Sequence, residues 1–149
     1  MRTTLFWFRN DLRLQDQRAL QQAITHAQKH KQALLLVYVH EPVQDEPTAW
    51  GFRRMGVHRR RFVADTLHDL QTSLQALKQH LVLLNGAVAD VLPTCAQQVQ
   101  ADTVFCENIA APEEQAQVQA LRDAGLMVHA VWQSSLLSLI HISEPTRPY

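Results

Sequence analysis

The feature that most constrains this chain lies at its start, where an apolar run meets a cluster of polar and charged residues. Residues 5–8, LFWF, contain no polar side chain, a pattern typical of a β-strand buried on both faces. The run ends abruptly at Arg9, Asn10 and Asp11. Strands of this kind form parallel sheets covered by helices, and such sheets bind their ligands at the carboxyl ends of the strands. The sequence therefore predicts an α/β fold with charged side chains at its functional edge.

The remaining sequence alternates helical and strand patterns. Apolar residues recur at steps of three and four in the first helical segment, and a continuous apolar run follows it, which predicts a parallel β-α-β unit. We expect Asp16 or Asp11 to cap the first helix and Asp90 to cap the third. Continued along the chain, the pattern predicts a doubly wound, five-stranded parallel sheet with helices on both faces. The predicted strands are 5–8, 33–39, 81–84, 103–106 and 126–131, and the predicted helices are 16–31, a long helix from residue 52, 90–99 and 112–124.

Composition fits a single globular domain of the cell interior. The 149 residues are 46% hydrophobic, and the 14 basic residues balance the 14 acidic ones, so no overall charge attracts nucleic acid or a membrane. The two cysteines, Cys95 and Cys106, lack the spacing of a metal or redox motif, which favours a reducing compartment. No apolar run approaches the ~20 residues of a membrane span. We expect a cytoplasmic protein without a membrane partner.

Several classes of enzyme are disfavoured because their motifs are missing. The four glycines form neither a dinucleotide-binding GxGxxG nor a phosphate-binding GxxxxGK[ST] pattern. No Gly-x-Ser-x-Gly nucleophile motif is present. Of the eight histidines, His26 and His30 lie one helical turn apart without a nearby carboxylate, and the others are scattered, so we expect no metal site.

Two segments resemble the photolyase and cryptochrome family. The sequence WFRNDLRLQDQRAL at residues 7–20 is similar to the opening of that family, in which a strand ending Trp-Phe-Arg precedes Asp-Leu-Arg and a helix-capping Asp. Residues 51–70, GFRRMGVHRRRFVADTLHDL, resemble the corresponding helix of DASH-type cryptochromes. The likeness extends to VWQSSLL at residues 131–137. It implies the N-terminal α/β domain of such a protein, over residues 1–137.

The resemblance also implies a function for the complete protein. Family members use blue light and fully reduced FAD to split cyclobutane pyrimidine dimers in DNA, with or without energy from an antenna pigment, a folate (methenyltetrahydrofolate) or a deazaflavin. The helical FAD-binding domain is absent from this chain, so we expect no catalytic residue here, an inactive fragment, and DNA contact through the missing domain. The full-length protein is expected to be a monomer. Two alternatives stay open: a light-sensing cryptochrome without repair activity, and a stand-alone nucleotide-binding or electron-transfer-flavoprotein-like module.

The carboxyl edge of the predicted sheet carries two sets of candidate site residues. Residues after the first strand are expected to make edge or interdomain contacts, the alternative being a solvated connection to the next helix. A polar pair after the fourth strand could hydrogen-bond a planar, heteroatom-rich ligand, and the resemblance implies an antenna pigment near this edge. The first set comprises Arg9, Asn10, Asp11 and Arg13, and the second comprises Glu107 and Asn108.

A basic segment supplies the candidates for phosphate contact. Arg53, Arg54 and Arg59 lie near two phenylalanines, a combination that suits contact with phosphate. The alternative is a solvated helix start, in which the arginine stems pack on Phe52 and Phe62. The last residues, 138–149, fit neither the family's linker nor a packed element, and we expect them to be a truncation artefact outside the domain.

Overall fold

The computed structural model of the chain describes residues 2–133. Within these residues five strands form one sheet in the order β3-β2-β1-β4-β5, and every neighbouring pair is parallel. The chain therefore starts at the centre of the sheet, winds outward on one side through β2 and β3, and then crosses to β4 and β5 on the other. This confirms the predicted doubly wound α/β fold. The strands are β1 (Thr3–Phe8), β2 (Ala33–His40), β3 (Leu81–Asn85), β4 (Ala101–Glu107) and β5 (Met127–Val131).

Four α-helices connect the strands, and the second begins later than its sequence predicts. They are α1 (Arg18–His30), α2 (Val57–Ala76), α3 (Val88–Gln98) and α4 (Pro112–Asp123), with a short 3-10 helix at Pro42–Asp45. The prediction that α2 starts at residue 52 was wrong. The Phe52 carbonyl oxygen accepts hydrogen bonds from the backbone N–H and the hydroxyl of Thr48, each at 2.7 Å, so this backbone closes a turn instead of opening a helix. We call the loop formed by residues 42–56 the strap.

The predicted helix caps were also wrong. Asp16 adopts a left-handed conformation, with φ 51°, outside α1, and the cap position belongs to Gln17, whose side chain makes no capping hydrogen bond. The N–H of Ala19 instead donates to Oε1 of Gln133, 3.2 Å away. Asp90 lies within the first turn of α3, where it complements the helix dipole. Caps supplied from distant parts of the chain are invisible to a local pattern.

The core is divided by the sheet into two apolar layers. Alternate residues of β1 point to opposite faces, so Leu5 and Trp7 pack under α3 and α4, whereas Phe6 and Phe8 pack under α1 and α2. All four side chains are at most 3% exposed. Helix α2 covers the second layer with its C-terminal half, because Leu70 and Leu74 are the buried residues of this helix. The first turns of α2 are exposed and stand next to the strap.

Candidate ligand cleft at the carboxyl edge of the sheet

A cleft of about 850 Å³ opens at the carboxyl ends of β1 and β2. One wall is the strap and the start of α2, and the opposite wall is the first half of α4. Cavities of roughly 300–1,000 Å³ are typical of small-molecule sites. Six aromatic side chains line it: Trp7, Phe8, Tyr38, Trp50, Phe52 and Phe62. A planar aromatic ligand is the class of molecule that such a lining suits best.

Arg9 lies at the inner end of the cleft and is held entirely by the domain itself. Its guanidinium lies over the Trp7 ring, 4.5 Å from the centroid, and the residue is only 8% exposed. It donates to the carbonyl oxygens of Glu107 at 3.3 Å and Glu114 at 3.1 Å, and to Oε1 of Gln117 at 2.8 Å. Burial lowers the pKa of Arg9, an effect opposed by the surrounding acidic groups. Arg9 therefore ties β1 to β4 and α4 across the centre of the sheet.

Glu41 continues this network from the end of β2. Its Oε2 accepts a hydrogen bond from Nε2 of Gln117 at 2.6 Å, and its Oε1 accepts from the backbone N–H of Val88, the first residue of α3, at 3.1 Å. The amide of Gln117 thus accepts from Arg9 and donates to Glu41. The carboxylate also occupies the amino end of α3, where a phosphate would otherwise find N–H donors. This arrangement agrees with the missing phosphate-binding motif and counts against the stand-alone nucleotide-binding alternative.

The strap is a small hairpin fastened at both sides. Its base is closed by the backbone N–H of Met55, which donates to the Gln44 carbonyl oxygen at 2.9 Å, and the Met55 side chain is 5% exposed. Near the mouth of the cleft, Arg54 donates to both carboxylate oxygens of Glu113 on α4, each at 2.8 Å. This ion pair joins the two walls. Its side chains are 48% and 70% exposed, so solvent screens their attraction.

The outer part of the cleft combines exposed aromatic rings with an arginine that has no ionic partner. Trp50, Phe52 and Phe62 are 83%, 65% and 69% exposed. Within the described residues, Arg59 makes neither a hydrogen bond nor an ion pair, and its charge opposes the burial that raises the pKa of the Tyr38 hydroxyl. An exposed cation beside aromatic faces can bind an anionic group on an aromatic ligand.

The structure distributes the predicted edge residues over two separate places. Arg9 and Asn10 line the cleft. Asp11 and Arg13 lie away from it and bind each other, with Arg13 Nε 3.1 Å from Oδ1 of Asp11, while Gln133 donates to Oδ2 of Asp11 at 3.1 Å. Asn10 and Arg13 are exposed. Arg9 is buried and engaged within the domain, so its predicted interdomain contact is not favoured, whereas the exposed Asn10 and Arg13 stay candidates for it.

The predicted antenna pair does not line the cleft. Glu107 is the last residue of β4 and is 7% exposed. Asn108 is half-buried, its backbone N–H donates to the Val131 carbonyl oxygen at 2.8 Å, and its Oδ1 accepts from Gln115 at 2.7 Å. Both residues lie next to the end of β5. Their role in ligand binding stays a prediction.

The three arginines predicted to contact phosphate have different surroundings. Arg59 lies in the cleft lining without an ionic partner, Arg54 is engaged by Glu113, and the backbone of Arg53 forms an isolated β-bridge with Pro47.

Sequence reasoning did not single out Glu41, Gln117 and Trp50 as site residues. The sequence gives a weak indication of two of them: Glu41 directly follows a buried strand, and Trp50 is a tryptophan in a proline-containing loop. Nothing in the sequence indicates Gln117.

Among the described residues, neither the cysteines nor any group of three or more potential metal ligands gives a sign of a second site. Burial raises the pKa of the Cys106 thiol to about 11 and also raises that of Cys95, so burial disfavours the nucleophilic thiolate form of both residues. Over residues 2–133 no three or more His, Cys, Asp and Glu side chains are grouped so as to hold a metal ion. In the same part of the chain, no helix has the length and apolarity needed to cross a membrane.

Comparison with known proteins shows which proteins this domain resembles. The family model for DNA photolyase matches residues 4–149. A DASH cryptochrome of Synechocystis sp. is 33% identical over 138 residues, which covers 90% of this chain and 27% of that protein. A (6-4) DNA photolyase of Arabidopsis thaliana is 31% identical, covering 95% of this chain and 26% of its own length. The crystal structure of a cryptochrome from Synechocystis sp. PCC6803 superposes with a TM-score of 0.81 at 32% identity, over 91% of this chain and 28% of that one.

The fold and the cleft define a doubly wound α/β domain with an aromatic-lined cavity beside its central strand. The chain belongs to the DNA photolyase family, and the DASH-type likeness predicted from its sequence is confirmed. It spans little more than a quarter of the length of these relatives.

Proposed function

We propose that this chain is the N-terminal α/β domain of a flavoprotein whose complete form uses blue light to split cyclobutane pyrimidine dimers in DNA. Membership of the photolyase family and coverage of about a quarter of the length of its relatives support this proposal. FAD, held by the helical domain of the complete protein, supplies the light-driven electron transfer. DNA is bound through that domain in the cytoplasm, by a monomer. Because the FAD and dimer sites are proposed to lie in the helical domain, we expect residues 1–137 on their own to be inactive in repair.

The part played by this domain, we infer, is to hold an antenna pigment in the cleft beside β1. The observation that carries this inference is the cleft of about 850 Å³ whose lining includes three exposed aromatic side chains, Trp50, Phe52 and Phe62. A folate or deazaflavin is a planar ring that aromatic faces can bind by stacking. Bound there, the pigment would absorb light and pass its energy to the flavin. The residues of this chain bind the ring, orient it and exclude water from it.

Charged residues around the cleft define where the pigment's anionic substituent lies. Arg59 is the cation best placed for it, because it lines the cleft and has no ionic partner among the described residues. Arg54 can bind the anionic substituent only after its ion pair with Glu113 breaks. Arg53 contributes long-range electrostatic attraction for the same substituent. Glu107 and Asn108 form a less favoured candidate site, because one is buried and the side chain of the other is already hydrogen-bonded. Asn10 and Arg13, both exposed, are proposed to face the helical domain.

Direct titration of the purified chain tests the antenna proposal. FMN, 8-hydroxy-5-deazaflavin and methenyltetrahydrofolate are added separately, and the fluorescence of the pigment and of the tryptophans is followed. We expect at least one pigment to bind with 1:1 stoichiometry, and Phe62→Ala to weaken binding several-fold. Asn108→Ala, at the competing site, is the matched control. Absence of saturable binding by all three pigments, or loss of binding only in Asn108→Ala, contradicts the assignment of the cleft.

A second candidate function is light sensing without repair. The relatives support this second candidate, because they include proteins named as cryptochromes and as a blue-light photoreceptor as well as a photolyase. The two functions share this domain and separate in the complete protein. Reduced full-length protein that removes pyrimidine dimers from DNA under blue light supports repair. Light-driven flavin reduction without any loss of dimers supports the sensory function.

A further inference from the structure

Two histidines form a pair in the last turn of α1, at the edge of the sheet opposite the cleft. His26 and His30 are one helical turn apart, and their ring centroids are 4.2 Å apart. Their spacing alone predicts solvated histidines, because no carboxylate is near them in the sequence. We propose that this pair binds a divalent transition-metal ion through the Nε2 atoms of both rings. The site is separate from the cleft and independent of its ligand.

The hydrogen bond of His30 leaves the Nε2 atom of this ring for a metal ion. Its Nδ1 lies 2.9 Å from the backbone carbonyl oxygen of His26. A carbonyl oxygen can only accept, so in the neutral ring Nδ1 carries the proton and Nε2 carries the lone pair. Metal-binding histidines usually donate their other ring N–H to a backbone carbonyl, a carboxylate or water. His30, which is exposed, already has this arrangement.

The same tautomer follows for His26 from the hydroxyl group of Thr4. That hydroxyl donates its only proton to Oε1 of Gln32, 2.7 Å away. The hydroxyl oxygen lies 3.2 Å from Nδ1 of His26 and must therefore accept a hydrogen bond from that nitrogen. Thr4 is 0% exposed, so the bond holds the ring from the side of the sheet. Both neighbouring rings thus use Nδ1 within the domain and keep Nε2 for a ligand.

The distance between the two rings suits a shared ion. An imidazole bound through Nε2 at ~2.1 Å has its centre ~3.2 Å from the ion, so two rings at a bond angle of about 90–109° have centres about 4.5–5.2 Å apart. The observed 4.2 Å is slightly shorter, and a small rotation of the exposed His30 side chain reaches this range. Among residues 2–133 no third His, Cys, Asp or Glu completes a metal-binding group, so solvent fills the remaining positions of the ion.

Protonation and helix polarity favour a cation at this place. Burial lowers the pKa of His26, and the positive charges of His30, His129 and Lys29 lower it further, so the ring can bind an ion at neutral pH without first losing a proton. The Lys29 charge repels an ion and Asp102 attracts it. The carboxyl end of a helix also attracts positive charge. Imidazole ligands suit Zn²⁺, Cu²⁺ and Ni²⁺, whereas Mg²⁺ and Ca²⁺ prefer oxygen ligands.

Calorimetric titration of the purified chain with zinc chloride at neutral pH tests the proposal. We expect one saturable site per chain, and a midpoint of thermal unfolding that rises by ~2–5 °C at saturating Zn²⁺. Magnesium chloride at the same concentration should produce neither effect. His30→Gln should weaken Zn²⁺ binding at least about tenfold, because a single imidazole remains. Thr4→Val keeps both imidazoles but removes the acceptor of His26, and should weaken binding about tenfold.

A change of spacing provides a control that keeps the number of imidazoles constant. In Gln28→His/His30→Gln the two histidines are two positions apart and lie on different faces of the helix, so we expect the same loss as in His30→Gln. His58→Gln, at the exposed start of α2, should bind Zn²⁺ as tightly as the wild type. The same is expected of His129→Gln, whose ring stacks on Phe105 at 4.6 Å. Thermal melting in the presence of EDTA verifies that each variant is folded.

The outcomes assign the site to the pair or remove it. The proposal is overturned if the wild-type chain shows no saturable Zn²⁺ binding, or if Gln28→His/His30→Gln binds as tightly as the wild type. A loss in His58→Gln or His129→Gln as large as that in His30→Gln also overturns it, because the ion then binds elsewhere. Proton–nitrogen NMR of the metal-free imidazoles checks the tautomers independently. We expect protonated Nδ1 atoms in both rings, and a protonated Nε2 in either neutral ring contradicts the proposal.

Discussion

The aromatic residues of this domain fall into two populations that differ in burial by almost the whole possible range. Phe6 and Phe8, in the central strand, are each 1% exposed, whereas Phe62 and Trp50, beside the cleft, are 69% and 83% exposed. The first pair supplies folding energy, since a buried aromatic ring removes a large apolar area from water. The second pair contributes little to folding. Large aromatic side chains left exposed around a cavity indicate a binding surface.

The arginines show the same division. Arg9 is buried, stacked on Trp7 and fully engaged by acceptors of the domain, whereas Arg54 and Arg59 are exposed at the cleft. A buried guanidinium must keep its partners, because an unpaired charge in the interior is costly. An exposed one can exchange its partner for a ligand at little cost. The central strand therefore builds the domain, and the strap region is available for binding.

The largest expected effect separates the two phenylalanine populations. Phe6→Ala should lower the free energy of unfolding by about 3–5 kcal/mol, because it leaves a cavity between the sheet and α1. Phe62→Ala should change it by less than about 0.5 kcal/mol, since its ring is already in water. Urea unfolding followed by circular dichroism measures both. Equal losses in the two variants would show that Phe62 is part of the folding core.

The buried arginine gives the next largest effect. Arg9→Met should destabilise the domain by about 2–3 kcal/mol, because three acceptors from β4 and α4 lose a charged donor at once. Arg13→Met, a change of the same kind on the same connection, removes an exposed pair with Asp11 and should cost less than about 1 kcal/mol. Urea unfolding again measures the difference. A loss in Arg13→Met as large as that in Arg9→Met would contradict the structural role given to Arg9.

The fold was predictable because each strand carries its own signal. The apolar runs of β1 and β2 have the length and composition of buried strands, and the helical periodicity between them requires a crossover. The conformation of the turn after β3 is likewise determined by nearby residues. Gly86 has φ 139°, and a Cβ there would lie 2.6 Å from Cγ1 of Val91, so only glycine fits before α3. Local chemistry of this kind is readable from the sequence.

The site was less predictable because its contacts are distant in sequence. Gln117 joins Arg9 and Glu41, residues separated from it by 108 and 76 positions, and no periodicity marks it. The start of α2 was placed too early for a related reason: the helical spacing continues upstream of Val57, but Thr48 captures the Phe52 carbonyl. Hydrogen bonds overrode helical periodicity at these positions, through tertiary contacts at Gln117 and through a local turn at Phe52.

The ion pair across the cleft mouth gives a smaller effect. Arg54→Gln should reduce global stability by no more than about 1 kcal/mol, because the pair with Glu113 is exposed. Its effect should instead appear locally, as amide hydrogen exchange in residues 47–54 that is about two- to fivefold faster. Arg53→Gln, one residue away and without an ion pair in the described structure, should leave exchange unchanged. Unchanged exchange in both variants would show that the pair does not hold the strap.

The smallest expected effect concerns pH and lies on the opposite edge of the sheet, at His26. Its Nδ1 is 3.2 Å from the Thr4 hydroxyl, and the rings of His30 and His129 lie 4.2 Å and 6.4 Å from its own. Burial lowers the pKa of His26 first, and the positive charges of His30, His129 and Lys29 lower it further, against the opposing effect of Asp102. The folded state therefore favours the neutral ring.

The sign of the pH dependence follows from this lowered pKa. Above the ordinary value of 6.5 both states are neutral and the contribution of His26 to stability is complete. As the pH falls below that value the unfolded chain binds a proton first, so stability is lost until the pH passes the lowered pKa of the folded state. His26→Gln should flatten the stability curve between about pH 7 and 5, and His58→Gln, at the exposed start of α2, should not. If the stability difference between wild type and His26→Gln instead grew as the pH fell through this range, the fold would stabilise the charged ring, which would contradict the lowered pKa.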